Sequence, residues 1–302
     1  MAATLADTSK SAWTLTDPFH RSPYPAISPQ RPELAQTGRT VLVTGGNAGI
    51  GYAIAKAFLQ ASARKVIVTG RRIEATKDAA VQLASSNSQA QAIGIACDMS
   101  DAKAVDELWD SLEQEGTTID VLILNAVKVP NAKPILENGI EAVWQDFDAN
   151  VRAQLQMTER FYKQREEISG RKYLINVSTF AIHDHNISAM RPGYGLTKNS
   201  AALAFQLIAQ DIPPEKMQII NMNPGGVFTQ NARNAGYDEN SYQYNNPDLP
   251  GQFAVWLASP EATFLHGRFV WTEWDVDALK SGPIKKRIDE DPFYLKVGVR
   301  GL

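Results

Sequence analysis

The sequence predicts a single α/β domain: a doubly wound, mostly parallel sheet of seven strands with helices on both faces. Three observations predict it. Short, continuous apolar runs recur along the chain, amphipathic helical stretches lie between them, and a glycine-rich turn joins the first run to the first helix. Strands that are apolar on both sides need cover on both faces, which is the situation of a parallel sheet packed between helices.

The first strand is Thr40–Thr44 (TVLVT), followed by the turn Gly45–Gly51 and a helix whose apolar residues fall at helical spacing over Tyr52–Leu59. Lys65–Thr69 (KVIVT) is the second strand and Ile73–Leu83 the second helix. Ala92–Cys97 is the third strand, Ala102–Leu112 a helix, and Val121–Asn125 the fourth strand. Ala142–Tyr162 is long enough for one helix of several turns. Tyr173–Ser178 is the fifth strand, Tyr194–Gln210 a helix, Met217–Asn223 the sixth strand, Phe253–Ala258 part of a last helix, and Phe269–Trp271 the seventh strand.

Ahead of this rhythm, residues 1–38 carry Pro18, Pro23, Pro25, Pro29 and Pro32. Proline removes a backbone donor and breaks helices and central strands, so the segment is expected to be an extended arm. Trp13, Phe19, Tyr24 and Ile27 are the side chains expected to pin it to the domain. The domain proper spans 39–275, with a polar, Asn- and Tyr-rich stretch at 230–250, and residues 276–302 form a tail that packs on the domain or on a partner subunit.

With 44% hydrophobic and 21% charged residues, the chain has material for a normal core. A net charge of −3 argues against nucleic acid as the main partner, because phosphate binding needs a basic surface. Cys97, the one cysteine, cannot form an internal disulfide. No stretch resembles a secretory leader or a membrane span, so the expected location is the cytoplasm.

The turn Thr44-Gly-Gly-Asn-Ala-Gly-Ile-Gly51 suits a nucleotide phosphate. Gly45 permits a tight turn, Gly49 lets the backbone approach a pyrophosphate, and Gly51 lets helix and strand pack closely. The helix behind supplies free N–H groups and the positive end of its dipole. The arrangement is Rossmann-like. Where a site for NAD places an acid after the second strand, this chain reads Gly70-Arg71-Arg72, with no acid until Glu74. Two guanidinium groups suit the 2′-phosphate of NADP(H), so that cofactor is expected.

Tyr-x-x-x-Lys occurs at Tyr52/Lys56 and at Tyr194/Lys198. The first pair lies just behind the phosphate turn and is incidental. The second opens a helix after strand five, where the carboxyl edge of a sheet forms a cleft. Residues i and i+4 share a helix face, so Tyr194 and Lys198 can share a site.

Taken together, Thr44–Gly51, Asp98, Asn125-Ala126, Asn150, Tyr194/Lys198 and Pro224–Thr229 stand in the order found in short-chain dehydrogenases/reductases. The chain resembles that family over about residues 39–275. The arm FHRSPYPAISPQRPEL and the tail GRFVWTEWDVDALK resemble a fungal branch of it, many of whose members act in secondary metabolism. The resemblance implies an NADP(H)-dependent ketoreductase or alcohol dehydrogenase acting on a small organic molecule. It implies a catalytic set of Asn150, Ser178 or Thr179, Tyr194 and Lys198. It implies cofactor contacts from Gly45, Asn47, Ile50, Gly51, Arg71, Arg72, Asp98, Met99, Asn125, Ala126, Tyr194, Lys198, Pro224, Gly225, Val227 and Thr229.

In the family the tyrosine is the general acid for carbonyl reduction, and a phenol must then ionise far below its usual range near 10. An ammonium about 4 Å away contributes on the order of 4 kcal/mol at an effective dielectric constant of 20. At about 1.4 kcal/mol per unit, Lys198 is expected to lower the phenol by roughly three units before burial opposes it. Lys198 is also expected to bond ribose hydroxyls, Asn150 to hold a proton-relay water, Asp98 to contact adenine, and Val227 and Thr229 to fix the nicotinamide carboxamide.

Three features depart from the family pattern. The usual serine falls on Thr179, which keeps a hydroxyl, and the spacing from it to Tyr194 is two residues longer than usual, so Ser178 is an alternative. Val127 stands where the family favours glycine. The inserted stretch Phe180–Pro192 carries His183, Asp184 and His185, expected to line the substrate cleft rather than bind a metal, because no further ligands stand at metal-site spacing. These departures keep open a redox-neutral cyclase or isomerase that retains NADP(H) structurally. The stretch 230–250 resembles the family's substrate lid. The family also pairs its Asn and Tyr helices between subunits, which implies a homodimer or homotetramer. Ala201, Ala202 and Ala204 supply either that close-approach face or intramolecular core.

Overall fold

The computed structural model describes residues 14–85, 91–164 and 170–298. Seven strands form one sheet in the order β3-β2-β1-β4-β5-β6-β7, and every neighbouring pair is parallel. They are β1 Thr40–Val43, β2 Lys65–Gly70, β3 Gln91–Ala96, β4 Val121–Leu124, β5 Lys172–Val177, β6 Met217–Asn223 and β7 Phe269–Trp271. Each predicted strand is present within two residues of its expected ends.

The apolar runs are continuous because both faces are covered. Val41 and Val43 point into one core with Phe58, Phe253 and Trp256, while Leu42 between them points into the other with Trp109, Phe161 and Phe205. Helix α1 (Gly49–Gln60), α2 (Ile73–Ser85) and α10 (Asp248–Leu257) cover the first face, and α3 (Ala102–Gln114), α6 (Ala153–Lys163) and α8 (Pro192–Asp211) mainly the second. Alternation with a period of two therefore operates inside a run that looks uniform in one dimension. Helices α1 and α10 cross closely at Gly251, where a Cβ would stand 2.5 Å from the Ala53 carbonyl oxygen.

The long helix expected over Ala142–Tyr162 is divided. The short α4 (Ile135–Asn138) precedes α5 (Ile140–Phe147), a π-helical turn occupies Asp148–Arg152, and α6 follows. A π turn inside an α-helix carries one extra residue and rotates the side chains on either side relative to one another. Here it contains Asn150.

Of the arm, Trp13 lies outside the described residues. From residue 14 onward the arm is docked. Phe19 bridges Trp274, the Tyr24 hydroxyl donates to the Trp274 carbonyl at 2.9 Å, and Ile27 is fully buried. At the other end, α11 (Val276–Lys280) and α12 (Gly282–Glu290) extend the domain. Phe269 N–H donates to the Leu295 carbonyl, and Val297 N–H to the Gln206 side chain, so the described tail packs on its own chain.

Ala201 and Ala202 are core residues, whereas Ala204 is half-buried. The apolar side chains that α8 leaves exposed are Leu196, Leu203 and Leu207. Among the described residues no helix is long and apolar enough to cross a membrane.

Candidate active site

The order 3-2-1-4 reverses the direction of winding between β1 and β4, and the loops after these strands diverge there to leave a crevice at the carboxyl edge of the sheet. A cleft of about 420 Å³ occupies this place. Its walls come from the glycine turn, the ends of β2 to β5, Tyr194, Lys198 and the loop after β6.

The glycine turn has the conformation its sequence suggests. Gly45 and Gly49 have φ of +62° and +54°, in the left-handed region that glycine tolerates. A Cβ on Gly51 would stand 2.3 Å from the Gly45 carbonyl oxygen, so helix α1 can start here only without a side chain. Gly46, which sequence reasoning passed over, is equally constrained: its Cβ would meet Val68 at 2.7 Å.

Thr44 and Asn125 hold this turn against the end of β4. The Thr44 hydroxyl accepts from Asn125 N–H at 2.9 Å and Ala126 N–H at 3.0 Å. Asn125 Nδ2 donates to the carbonyls of Thr44 and Gly45. Asn125 thus shapes the phosphate turn while also lining the cleft.

At one end of the cleft lie Arg71, Asp98, Met99 and Ser100. Asp98 Oδ1 accepts from Ser100 N–H at 2.9 Å and Ser100 Oγ at 2.7 Å, and these bonds hold its carboxyl below the usual range. Arg71 is exposed and lines the cleft; Arg72 does not line it, and its carbonyl accepts from Thr76 at the start of α2. Of the two arginines, only Arg71 lines the cleft.

At the other end, Tyr194 and Lys198 lie one turn apart on α8. The Thr179 hydroxyl hydrogen-bonds the Tyr194 phenol, and it also accepts from Ala181 N–H at 3.3 Å. Ser178 is 2% exposed and lines the cleft, and its Oγ has no hydrogen-bond partner among the described residues. Thr179 therefore faces the phenol, and the Ser178 hydroxyl faces the cleft. The longer spacing from Thr179 to Tyr194 is absorbed by a 3₁₀ turn at Phe180–Ile182 and by α7 (His185–Met190), which packs Ser188 against Gly195.

Burial governs both ionisable groups. It pushes the Tyr194 phenol up to about 12, with the Thr179 bond opposing, and pushes Lys198 down to about 8. The expected depression of the phenol by Lys198 is not what this geometry produces. The Lys198 ammonium is 2% exposed and donates to the Val177 carbonyl at 2.6 Å. Desolvation alone lowers Lys198, so at the high pH where the buried phenol would ionise the lysine is already neutral.

Asn150 is fully buried and its amide is engaged on both sides. Oδ1 accepts from Lys128 N–H at 2.8 Å, and Nδ2 donates to the Lys128 carbonyl at 2.8 Å and the Thr197 hydroxyl at 3.2 Å. The side chain fixes the strand-four loop to α8, one residue before Lys198. Lys128, which lines the cleft, forms an ion pair of 2.9 Å with buried Asp146. Nothing local in the sequence marked that pair.

After β6, Pro224 and Thr229 line the cleft, whereas Gly225 and Val227 lie behind it. Thr229 meets the glycine turn: a Cβ on Gly49 would lie 3.3 Å from its Cγ2. Thr229 also caps α9 (Gln230–Asn234), which begins the segment expected as a lid. His183 does not line the cleft. It stacks on Trp271 and packs edge-on to Phe269, because the inserted stretch folds back over β7.

Comparison with known proteins agrees with this geometry. The short chain dehydrogenase family pattern matches residues 39–240. Among curated relatives, the short chain dehydrogenase/reductase nsrO of Aspergillus novofumigatus is 30% identical over 93% of this chain and 95% of its own length. AacuD of Aspergillus aculeatus is 29% identical over 94% and 96%. Among solved structures, the Pseudomonas aeruginosa RhlG/NADP complex superposes with a TM-score of 0.71 at 20% identity, covering 80% of this chain and 97% of that one. The L-sorbose reductase of Gluconobacter frateurii, solved with NADPH and L-sorbose, superposes with 0.68 at 19% identity over 79% and 96%. These structures share the fold, and the family match and the fungal relatives cover the same strands, turn and tyrosine–lysine helix: the chain belongs to the short-chain dehydrogenase/reductase family.

Proposed function

We propose that this chain is an NADP(H)-dependent ketoreductase, or the reverse alcohol dehydrogenase, acting on a small organic molecule. The observation that carries the reading is the single cleft that joins a phosphate turn, a guanidinium and a tyrosine–lysine pair. Two relatives in fold were solved with NADP or NADPH, which supports the same cofactor here.

The residues fit that cofactor. Asn47, Ala48, Gly49, Ile50 and Gly51 line the cleft where α1 begins, and the free backbone N–H groups of a helix start suit a phosphate. Arg71 supplies a cation for a 2′-phosphate, and no acid stands in its place to grip a free ribose hydroxyl. Ser178 offers a buried, unpaired hydroxyl. When bound, the nicotinamide supplies the hydride chemistry.

The chain's own residues do the rest. Tyr194, protonated at neutral pH, holds the proton that a reduced carbonyl oxygen requires. The Thr179 hydroxyl favours the phenolate left afterwards. Lys198, below its pKa of about 8, keeps a positive charge one helical turn away. Asn150 keeps the wall at Lys128 and α8 in register, and the Pro224–Thr229 loop closes the nicotinamide end.

The test is the balance of nucleotide and product. With a panel of aromatic and aliphatic ketones, one NADPH should be oxidised for each alcohol formed. Conversion of a substrate with no NADPH consumed would assign the chain to redox-neutral isomerisation or cyclisation instead.

A further inference from the structure

The N-terminal arm reaches the back of the loop that follows β6. Arg21 Nη1 donates to the Gln243 carbonyl at 3.0 Å and to Asn245 Oδ1 at 3.4 Å, and the Arg21 carbonyl accepts from Asn246 N–H at 2.8 Å. Asn245 N–H in turn donates to the Gly226 carbonyl at 2.7 Å, and its Nδ2 donates to Glu273 Oε1 at 2.9 Å. The Asn245 and Glu273 side chains are both buried.

Gly225 lies directly on this pair. It has φ of +73°, and a Cβ there would stand 2.1 Å from Asn245 Nδ2 and 2.3 Å from Glu273 Oε1. Gly226 lies equally close to the Tyr242 ring, over which the Arg21 guanidinium stands 5.9 Å from the centroid. A fixed chain of contacts thus runs from the arm, through the end of the 230–250 segment, to the glycines of the loop.

The other side of the chain is anchored as well. His20 N–H donates to the Glu273 carbonyl at 2.7 Å, and His20 Nε2 lies 2.9 Å from Asp275 Oδ2. The buried Glu273 carboxyl, pushed up to about 7 by desolvation, feels Asn245 and Arg21 as its opposing influences.

We propose that Arg21 and the Asn245–Glu273 pair are positioning residues that set the Pro224–Thr229 loop, so that the arm is part of the cofactor site. This rests on reading that loop as the nicotinamide-binding one. None of these residues needs to touch the nucleotide. Their effect passes through the backbone of Gly225 and Gly226, which without side chains has little stiffness of its own.

The test compares Arg21→Ala with Arg31→Ala in the full chain. Arg31 also ties the arm down, through Glu261 at 2.6 Å, on a part of the domain away from the loop. In Arg21→Ala without nucleotide, amide exchange at Asn245 and Asn246 should accelerate on the order of tenfold, the effect of losing a charge-assisted hydrogen bond. The dissociation constant for NADPH should rise by about the same factor, since it reads the same lost bond. Asn245→Ala should reproduce both changes, and Arg31→Ala should produce neither, whatever it does to the melting temperature. Wild-type exchange and affinity in Arg21→Ala would overturn the proposal, as would equal changes in Arg31→Ala. Accelerated exchange in a chain that binds no NADPH even as wild type would support the coupling and overturn the nucleotide reading on its own.

Discussion

Replacing Tyr194 by phenylalanine should lower the turnover of ketone reduction by about 10²–10⁴-fold, the usual contribution of a positioned general acid. The ring stays and only the hydroxyl is lost, so packing in the cleft should hold. The proton needed by the product oxygen then has to come from water. The phenol is pushed up to about 12 by burial, so in the folded chain it is an acid waiting to donate rather than a preformed phenolate. Thr179→Val should cost less, because it removes only the hydroxyl that eases ionisation of the phenol. Steady-state kinetics with a thermal melt of each variant checks this. Turnover by Tyr194→Phe at more than about a tenth of the wild-type rate would remove Tyr194 from the mechanism.

Lys198→Met carries the second large effect, and it is expected in two opposite directions. Turnover should fall by about 10²-fold or more, because a buried charge beside a reacting group is worth several kcal/mol in low dielectric. Stability at neutral pH should not fall with it. Burial lowers the folded-state pKa of Lys198 from 10.5 to about 8. Below pH 8 both folded and unfolded chains hold the proton, and the folded one bears the full burial cost, of the order of 3 kcal/mol at about 1.4 kcal/mol per unit. Between about 8 and 10.5 the unfolded chain binds more protons, so this contribution to stability rises with pH. Methionine has similar volume and no charge, so it removes that cost and its pH dependence, while leaving the Val177 carbonyl without its donor. The wild-type reduction rate should decline above pH 8 as the ammonium is lost, and the remaining activity of the variant should lack that decline. A wild-type profile flat from pH 7 to 10 would contradict the role given to this charge.

Much of the fold could be read from the sequence because its signals are local. Runs such as Val66–Val68 and Val121–Leu124 announce doubly covered strands within four or five residues. Gly45, Gly49 and Gly51 announce a turn that only glycine can make, and the positive φ of the first two bears this out. Arg71 follows β2 directly, so its place at the cleft end was fixed by one strand. The different placement of Ser178 and Thr179 was not readable. It depends on how the inserted stretch folds: Phe180 and His183 pack on β7 and α7 packs on α8, which takes up the longer spacing between Thr179 and Tyr194. The π turn at Asp148–Arg152 was also hidden, since the segments on either side of it each keep the helical period and only the phase between them shifts. Ala201 and Ala202 are small enough for either a subunit contact or a core, and only the packing against β6 shows them to be core. The links from Arg21 to Asn245 and from Thr16 to Asp275 join positions more than two hundred residues apart, where no local pattern points from one to the other.

The most direct test of the cofactor assignment is a fluorescence titration of the wild-type chain with NADPH and with NADH, repeated with Arg71→Ala. NADPH is expected to bind at least about tenfold more tightly than NADH, one charge-assisted contact's worth of discrimination, and Arg71→Ala is expected to erase the difference. Equal affinity for the two nucleotides, or binding of neither, would contradict it.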